Sequence, residues 1–251
     1  ISSIFIGMSI HVARFAGAGN KEKVDRTVYQ AFLTAVFISI GILAPVGYFA
    51  APYLLDLVSP DAGVKAEALP FLRVTFVFSI GMLIYFMTSG ALRAAGDAKT
   101  PMRLGIVMTV LNLVLNIVFI SGFGPIPAYG TVGSAIGSSI AAGSVGIYSI
   151  YKMWSGTWVV RFPRGQGWGP DWSLIRSLFK FGLPAGFQGI AMNIGGLLMY
   201  YFIGSLSNSA AAQAAYALAY GQLFLLVTWS SNGLMGASAA VAGQNLGAKQ
   251  P

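Results

Sequence analysis

Long intervals without any charge constrain this chain more than any motif does. None of Asp, Glu, Lys, Arg occurs at 27–55, 74–92, 104–151 or 181–248, which are runs of 29, 19, 48 and 68 residues. A helix needs about 20 mostly apolar residues to cross a bilayer. The 48-residue run is broken by the turn-rich "SGFGPIPAYG" at 121–130, and the 68-residue run by the polar "GSLSNSA" at 204–210. The intervals predict seven segments, at about 1–13, 27–54, 66–92, 102–121, 131–154, 173–204 and 210–242, the first of them about half a span long. Stretches such as "TVLNLVLNIVFI" have almost no polar face, which argues against a helical core of a soluble protein.

Composition agrees. Only 9% of the 251 residues are charged and 56% are hydrophobic, with a mean hydropathy of +0.72. A soluble domain carries about 25% charged residues. The fold class is therefore an all-α integral membrane bundle. The net charge of +8 follows from topology. If the loops alternate sides, 13 of the 15 basic residues fall on one side, while Lys65 and Arg73 lie on the other with Asp56, Asp61 and Glu67. The positive-inside rule places the basic loops in the cytoplasm, and nucleic acid is not needed to explain the charge. With no cysteine, disulfides, thiolate metal sites and cysteine nucleophiles are excluded. The single His11 is expected to pack rather than to bind a metal. A first residue other than Met, a short first segment and an end just after a motif that precedes a helix suggest an internal fragment of a longer protein.

Glycine-rich "AGAGNKEK" at 16–23 and "GDAKT" at 96–100 lack the lysine placement and strand–helix setting of a phosphate loop. Gly133, Gly137 and Ala141 repeat every four residues on one helical face, a pattern for close helix packing in lipid. In the charged island "GALRAAGDAKTPM", Thr100 is expected to cap the next helix, with Pro101 at its first position. Pro45 and Pro184 can bend their helices.

A polar side chain in lipid must find a partner or line a wet cavity. Asn112 and Asn116 project from one face of one helix; Gln188 and Asn193 follow Pro184; Gln213, Tyr216, Tyr220 and Gln222 occupy the seventh segment. These residues suggest a polar-lined path. No Asp or Glu lies within the apolar spans, so ion coupling through an intramembrane carboxylate would have to come from outside them. The Trp-rich loop 154–173 is expected to join two bundles or to lie on the membrane, dividing the chain into 1–153, a linker at 154–172, and 173–251. Finally, "FAGAGNK" at 15–21 and "NLGAKQP" at 245–251 place Gly17-Ala18 and Gly247-Ala248 at an offset of 230, as two six-helix repeats would.

These letters resemble the multidrug and toxin extrusion (MATE) family. "LRAAGDAKTPM" at 92–102 is similar to the family loop after helix four, leucine-arginine-x-x-glycine-aspartate-x-x-threonine-proline. "ARFAGAGNKEK" and "AGQNLGAKQP" resemble the loops after helices two and eight, and "FGLPAGFQG" at 181–189 the start of helix seven. The resemblance implies a twelve-helix protein in two bundles, of which this chain covers the end of helix two through helix eight, missing the first helix. It implies an exporter of organic cations or amphipathic compounds driven by H+ or Na+, with no bound cofactor, monomeric and multi-pass in the cytoplasmic membrane. Carried over, Asn112 and Asn116 match the helix-five polar pair, whose second member is often a carboxylate, and Ser134 or Ser138 the helix-six hydroxyl. Phe71 stands at the helix-four tyrosine, and Met192-Asn193 stands near the helix-seven glutamate of another branch. The expected mechanism is alternating access, the bundles rocking around the linker. Two rivals are a flippase for lipid-linked oligosaccharides, for which Arg73 is the available cation, and a membrane-embedded transferase, for which only His11 and Asp97 could serve.

Overall fold

The computed structural model describes residues 2–58, 62–163, 168–205, 212, 215–216 and 218–250. Among these residues the chain is helical without a strand, and one isolated bridge between Phe123 and Ile126 closes a turn. In chain order come α1 (Ser2–Gly17), α2 (Lys21–Val36), a π-helical stretch Phe37–Leu43, α3 (Ala44–Val58), α4 (Ala62–Val77), α5 (Ile80–Ala94), α6 (Lys99–Ser121), α7 (Gly130–Ser155), α8 (Trp172–Gly204), a second π-helical stretch Ala219–Leu223 and α9 (Phe224–Gly247). The helices fall on the seven segments set by the uncharged intervals.

Two details were not legible in the hydropathy pattern. The span expected at 27–54 changes hydrogen-bond register at Phe37–Leu43. Pro45 explains it, because a proline has no N–H to donate and its ring crowds the carbonyl four residues back, here that of Gly41. The segment expected at 66–92 is two helices bent by 50° between Val77 and Ile80. Ser39, buried in the π stretch, hydrogen bonds Ser79 at that bend (3.0 Å), so the two irregularities hold each other.

Lys21–Asp56, Lys99–Ser121 and Ala219–Gly247 are each long and apolar enough to cross a membrane, and the bent pair α4–α5 passes as a fourth span. At 26 and 33 residues α7 and α8 have the length, but glycine, serine and amides dilute their hydropathy. On α7 that dilution serves packing. A Cβ at Gly133 would strike the Phe119 carbonyl of α6, and one at Gly81 of α5 would lie 2.5 Å from the Gly143 nitrogen. The small-residue face thus lets α6 and α5 approach α7 closely, as its spacing predicts.

Three helices end in the same way. The N–H groups of Asn20, Asp97 and Gln250 reach back to the carbonyls of Phe15, Leu92 and Asn245 at 2.9, 2.9 and 3.0 Å. The residue before each is left-handed: Gly19 (φ 69°), Gly96 (φ 95°) and Lys249 (φ 57°). This is a Schellman ending. The side chains of Asn20 and Asp97 then accept the N–H of the third residue onward, Lys23 and Thr100, both at 3.0 Å. The expectation that Thr100 caps α6 is therefore corrected. Ala98 flanks the first residue of α6, and Asp97 just before it supplies the capping side chain, its carboxylate accepting both the amide and the hydroxyl of Thr100.

At this end of the bundle Met8, Val12, Val28, Met87, Leu92 and Leu178 form a buried core with Val160 and Phe162 of the loop after α7. That loop is strapped to α2. Gln30 donates to the Gly169 carbonyl (3.0 Å) and accepts from the Asp171 N–H (2.9 Å), Tyr29 donates to the Trp168 carbonyl (2.9 Å), and Arg26 pairs with Asp171 at 2.6 Å. His11 joins α1 to α8: its Nε2 lies 2.9 Å from the Ser177 hydroxyl, and its ring contacts Phe15 and Phe181. It is a packing residue here.

Candidate functional site

On α6, Asn112 and Asn116 stand one turn apart and face α7. Asn116 Nδ2 donates to Asn112 Oδ1 (3.2 Å), and Asn112 Nδ2 donates to Ser138 Oγ (2.8 Å). The chain of donors leaves one atom over: Asn116 Oδ1 is buried without a partner. Gly137 makes the arrangement possible, since a Cβ there would collide with that oxygen. An orphaned acceptor in an apolar setting costs about 1–3 kcal/mol, so the pair is tolerated at a cost to the fold. Amides do not titrate in the physiological range, so this cluster can accept a donor or a cation but cannot itself carry a proton.

Ser138 also lines a cavity of about 870 Å³ between α1, α5 and α7 on one side and α8 and α9 on the other. Ser9, Met82, Phe86, Gln188 and Met235 are among its walls. The lining is mostly apolar and small, and the volume is within the range of small-molecule sites. Arg93 is its one charged lining residue among those described. Arg73 does not line it, and instead stacks over the Tyr48 ring at 4.4 Å.

The structure thus brings Asn112, Asn116 and Ser138 together, and sets Gln188 across the cavity from Ser138. Ser134, one turn from Ser138, is half-buried outside the hydrogen-bonded chain. Asn193 is not brought to the cluster: it is exposed on α8 and donates to the Gly189 carbonyl of its own helix (2.8 Å). Tyr216 stacks on Tyr220, which stacks on Phe224, each pair at 5.2 Å. Gln213 and the side chain of Gln222 lie outside the described residues.

The sequence reading missed Gln244. At the basic end α1 and α9 cross with almost no space between backbones. A Cβ at Gly17 would meet the Gln244 carbonyl, and one at Gly247 the Arg14 carbonyl. Since 14 + 230 = 244 and 17 + 230 = 247, the two contacts exchange under the repeat offset, as a pseudo-two-fold axis through the crossing requires. Gly243 sits against Ala13, its own counterpart, where an added Cβ would come within 2.7 Å of the Ala13 Cβ. The Gln244 side chain then donates to the Ala94 carbonyl at the end of α5 (2.9 Å). The offset could have flagged Gln244, because it puts that residue opposite Arg14.

Comparison with known proteins fits this geometry. The family model described as MatE matches residues 1–118. A probable multidrug resistance protein NorM of Geobacillus kaustophilus is 27% identical over 189 residues, 73% of this chain and 40% of that protein. A probable multidrug resistance protein YpnP of Bacillus subtilis is 28% identical over 220 residues, 87% of this chain and 46% of that protein. The chain therefore spans less than half the length of these relatives. Among solved structures, the outward-facing conformation of a multidrug resistance MATE family transporter of the MOP superfamily superposes with a TM-score of 0.86 at 18% identity, covering 99% of this chain and 54% of the other. A MOP superfamily transporter from Pyrococcus furiosus described by the reverse polarity of its binding pocket gives the same TM-score and coverage. In its loop motifs and helical architecture the chain is thus similar to the MATE transporters, and it shares their fold.

Proposed function

We propose that this chain forms part of a secondary efflux transporter for amphipathic organic compounds, organic cations among them, working by alternating access between two bundles. The cavity carries the reading: it is apolar, of drug size, and bounded by the helices of two repeats related by the offset of 230. Its polar atoms are few and placed singly, which suits substrates recognised by shape and desolvation more than by charge. The basic loops face the cytoplasm of the inner membrane in this proposal, so the α1–α9 crossing is the cytoplasmic closure and must part for loading. Antiport with H+ or Na+ rests on residues outside these apolar spans, and the protein works as a monomer. The division into a first bundle at 1–153, a linker at 154–172 and a second bundle from 173 belongs to this proposal; the strapping of the linker to α2 makes it move with the first bundle. The test is expression of the intact protein in an efflux-deficient strain. Lowered dye accumulation and raised drug tolerance are expected, and no change in either would contradict the proposal.

One observation favours a second reading, an exporter of lipid-linked anions: the charged wall residue is a cation, Arg93. Arg93→Gln would abolish transport of such a substrate, whereas efflux of a neutral or cationic dye would persist.

A further inference from the structure

A second cavity, of about 450 Å³, opens between the basic ends of α6 and α7, away from the central one. Its mouth holds Arg103 from the first turns of α6, Tyr148 from the last turns of α7, and Trp158 just beyond α7. The Arg103 guanidinium, the Tyr148 hydroxyl and the Trp158 indole N–H have no hydrogen-bond partner among the described residues. Three donors thus line one opening, open to whatever enters it. Asp97 neighbours Arg103 and feels its charge, but no ion pair joins them; its oxygens accept from the Thr100 amide and hydroxyl. Lys152 adds a second positive charge, its ammonium 5.6 Å from the Tyr148 ring centre.

Below the mouth the cavity becomes aliphatic, along Leu104, Val107 and Leu111 of α6. Arg103 and Leu111 are eight residues apart, so this strip runs about 12 Å down the helix at 1.5 Å per residue. The outer face of α6 is lipid-facing in character, with Met102, Ile106, Val107 and Val110 between 49% and 58% exposed. Polar donors at the headgroup level and an apolar strip at the acyl level match one kind of molecule. A guanidinium fork binds phosphate oxygens in pairs, and Tyr and Trp side chains settle where one end is wet and the other apolar. A free phosphate would leave the apolar strip unused; a zwitterionic lipid would bring a cation against Arg103 and Lys152.

We propose that this groove is a binding site for an anionic phospholipid of the leaflet at the basic end, its phosphate held by Arg103, Tyr148 and Trp158 and one acyl chain laid along Leu104, Val107 and Leu111. The site is independent of the transport cavity and of the substrate transported.

Native mass spectrometry of the intact purified protein, titrated with phosphatidylglycerol or phosphatidylcholine, tests it. The wild type is expected to retain phosphatidylglycerol at least about tenfold more strongly than phosphatidylcholine, the worth of one charge-assisted hydrogen bond. Arg103→Gln removes that preference. Val107→Trp, which fills the acyl strip without touching charge on a face already exposed, weakens phosphatidylglycerol to a similar degree. Arg176→Gln, an exposed basic residue elsewhere on this end, leaves it unchanged, and millimolar inorganic phosphate does not displace the lipid. Undiminished retention in Arg103→Gln, an equal loss in Arg176→Gln, or displacement by inorganic phosphate would each overturn the assignment. If Arg103→Gln fails to fold, Val107→Trp decides alone, with wild-type retention as the refuting result.

Discussion

Replacing Gly247 by alanine places a methyl group against the Arg14 carbonyl of the crossing helix, 2.9 Å from its carbonyl carbon and 3.0 Å from the Ala18 nitrogen. These are backbone atoms, so no side chain can swing aside. Restoring ordinary contact requires α1 and α9 to part by about 1 Å, and overpacking of this kind costs about 1–3 kcal/mol. Backbone against backbone lies toward the upper part of that range, so about 2 kcal/mol is expected, or about 30-fold in the equilibrium between closed and parted crossings. Gly17→Ala makes the mirror-image clash on Gln244. Once one methyl has parted the helices the second meets less resistance, so the double variant should fall short of additivity by about 1 kcal/mol. The chain has no cysteine, so a thiol introduced at Ala240, in the cavity wall one turn before Gln244, is the only reactive one this chain contributes. Its labelling by an impermeant maleimide from the basic side reports the parted state. Labelling should be faster in either single variant, up to about 30-fold, and in the double variant should fall below the product of the two. Unchanged labelling in Gly17→Ala, Gly247→Ala and the double would refute the crossing as a closure.

Other substitutions give separate checks. Asn112→Leu leaves the Asn116 amide and the Ser138 hydroxyl without their partner, and should lower thermal stability by about 1–3 kcal/mol; Gly137→Ala should cost at least as much by driving a methyl into Asn116 Oδ1. Asp97→Ala removes the α6 cap and should cost about 1 kcal/mol, read from the melting midpoint. Burial pushes the Asp97 carboxyl up, but the Thr100 hydroxyl and N–H, the Lys99 N–H and the Arg103 charge bring it below its ordinary value. For Asp171 the Leu174 N–H is the main depressing influence, partly offset by burial and helped by Arg26. Because both folded values are depressed, the stability these groups add is complete above the unfolded carboxylate pKa of about 3.9 and is lost as pH falls through the lower folded value. A pH series of melting midpoints should therefore be flat in these terms above that point, and Asp97→Asn should differ from wild type there while converging with it in acid. Gln30→Leu, which removes both amide bonds to the linker, should raise protease cleavage between 156 and 171 severalfold, and equal cleavage would show that the strap is held by its aromatic contacts instead.

Much of the architecture follows from where charge is absent. Lipid forces every span to satisfy its own backbone, so an uncharged interval of sufficient length has little choice but a helix. The Asn112–Asn116 pair was legible for the same reason: two amides one turn apart must share a face, and a face in lipid must find partners. The π stretch was visible only as Pro45, because a proline states that a hydrogen bond is lost without stating how the helix absorbs it. The bend near Ser79 left no signal, since "FSIG" reads as an ordinary apolar run. Gln244 and the groove at Arg103 depend on which helices cross, and crossing partners are set by tertiary packing. Asn193, alike in chemistry to Asn112, is settled by its own helix through Gly189, and spacing alone does not separate the two cases.

The claim that the cavity between the repeats is the transport path has a direct test. In vesicles carrying the intact protein, Met82→Trp and Met235→Trp place large rings in the 870 Å³ cavity from opposite walls, while Leu113→Trp puts one on the outer face of α6, where Leu113 is 62% exposed. Dye efflux is predicted to fall at least about tenfold in the first two variants, with folded yield preserved, and to stay at the wild-type rate in the third. Wild-type efflux in Met82→Trp and Met235→Trp would contradict this assignment.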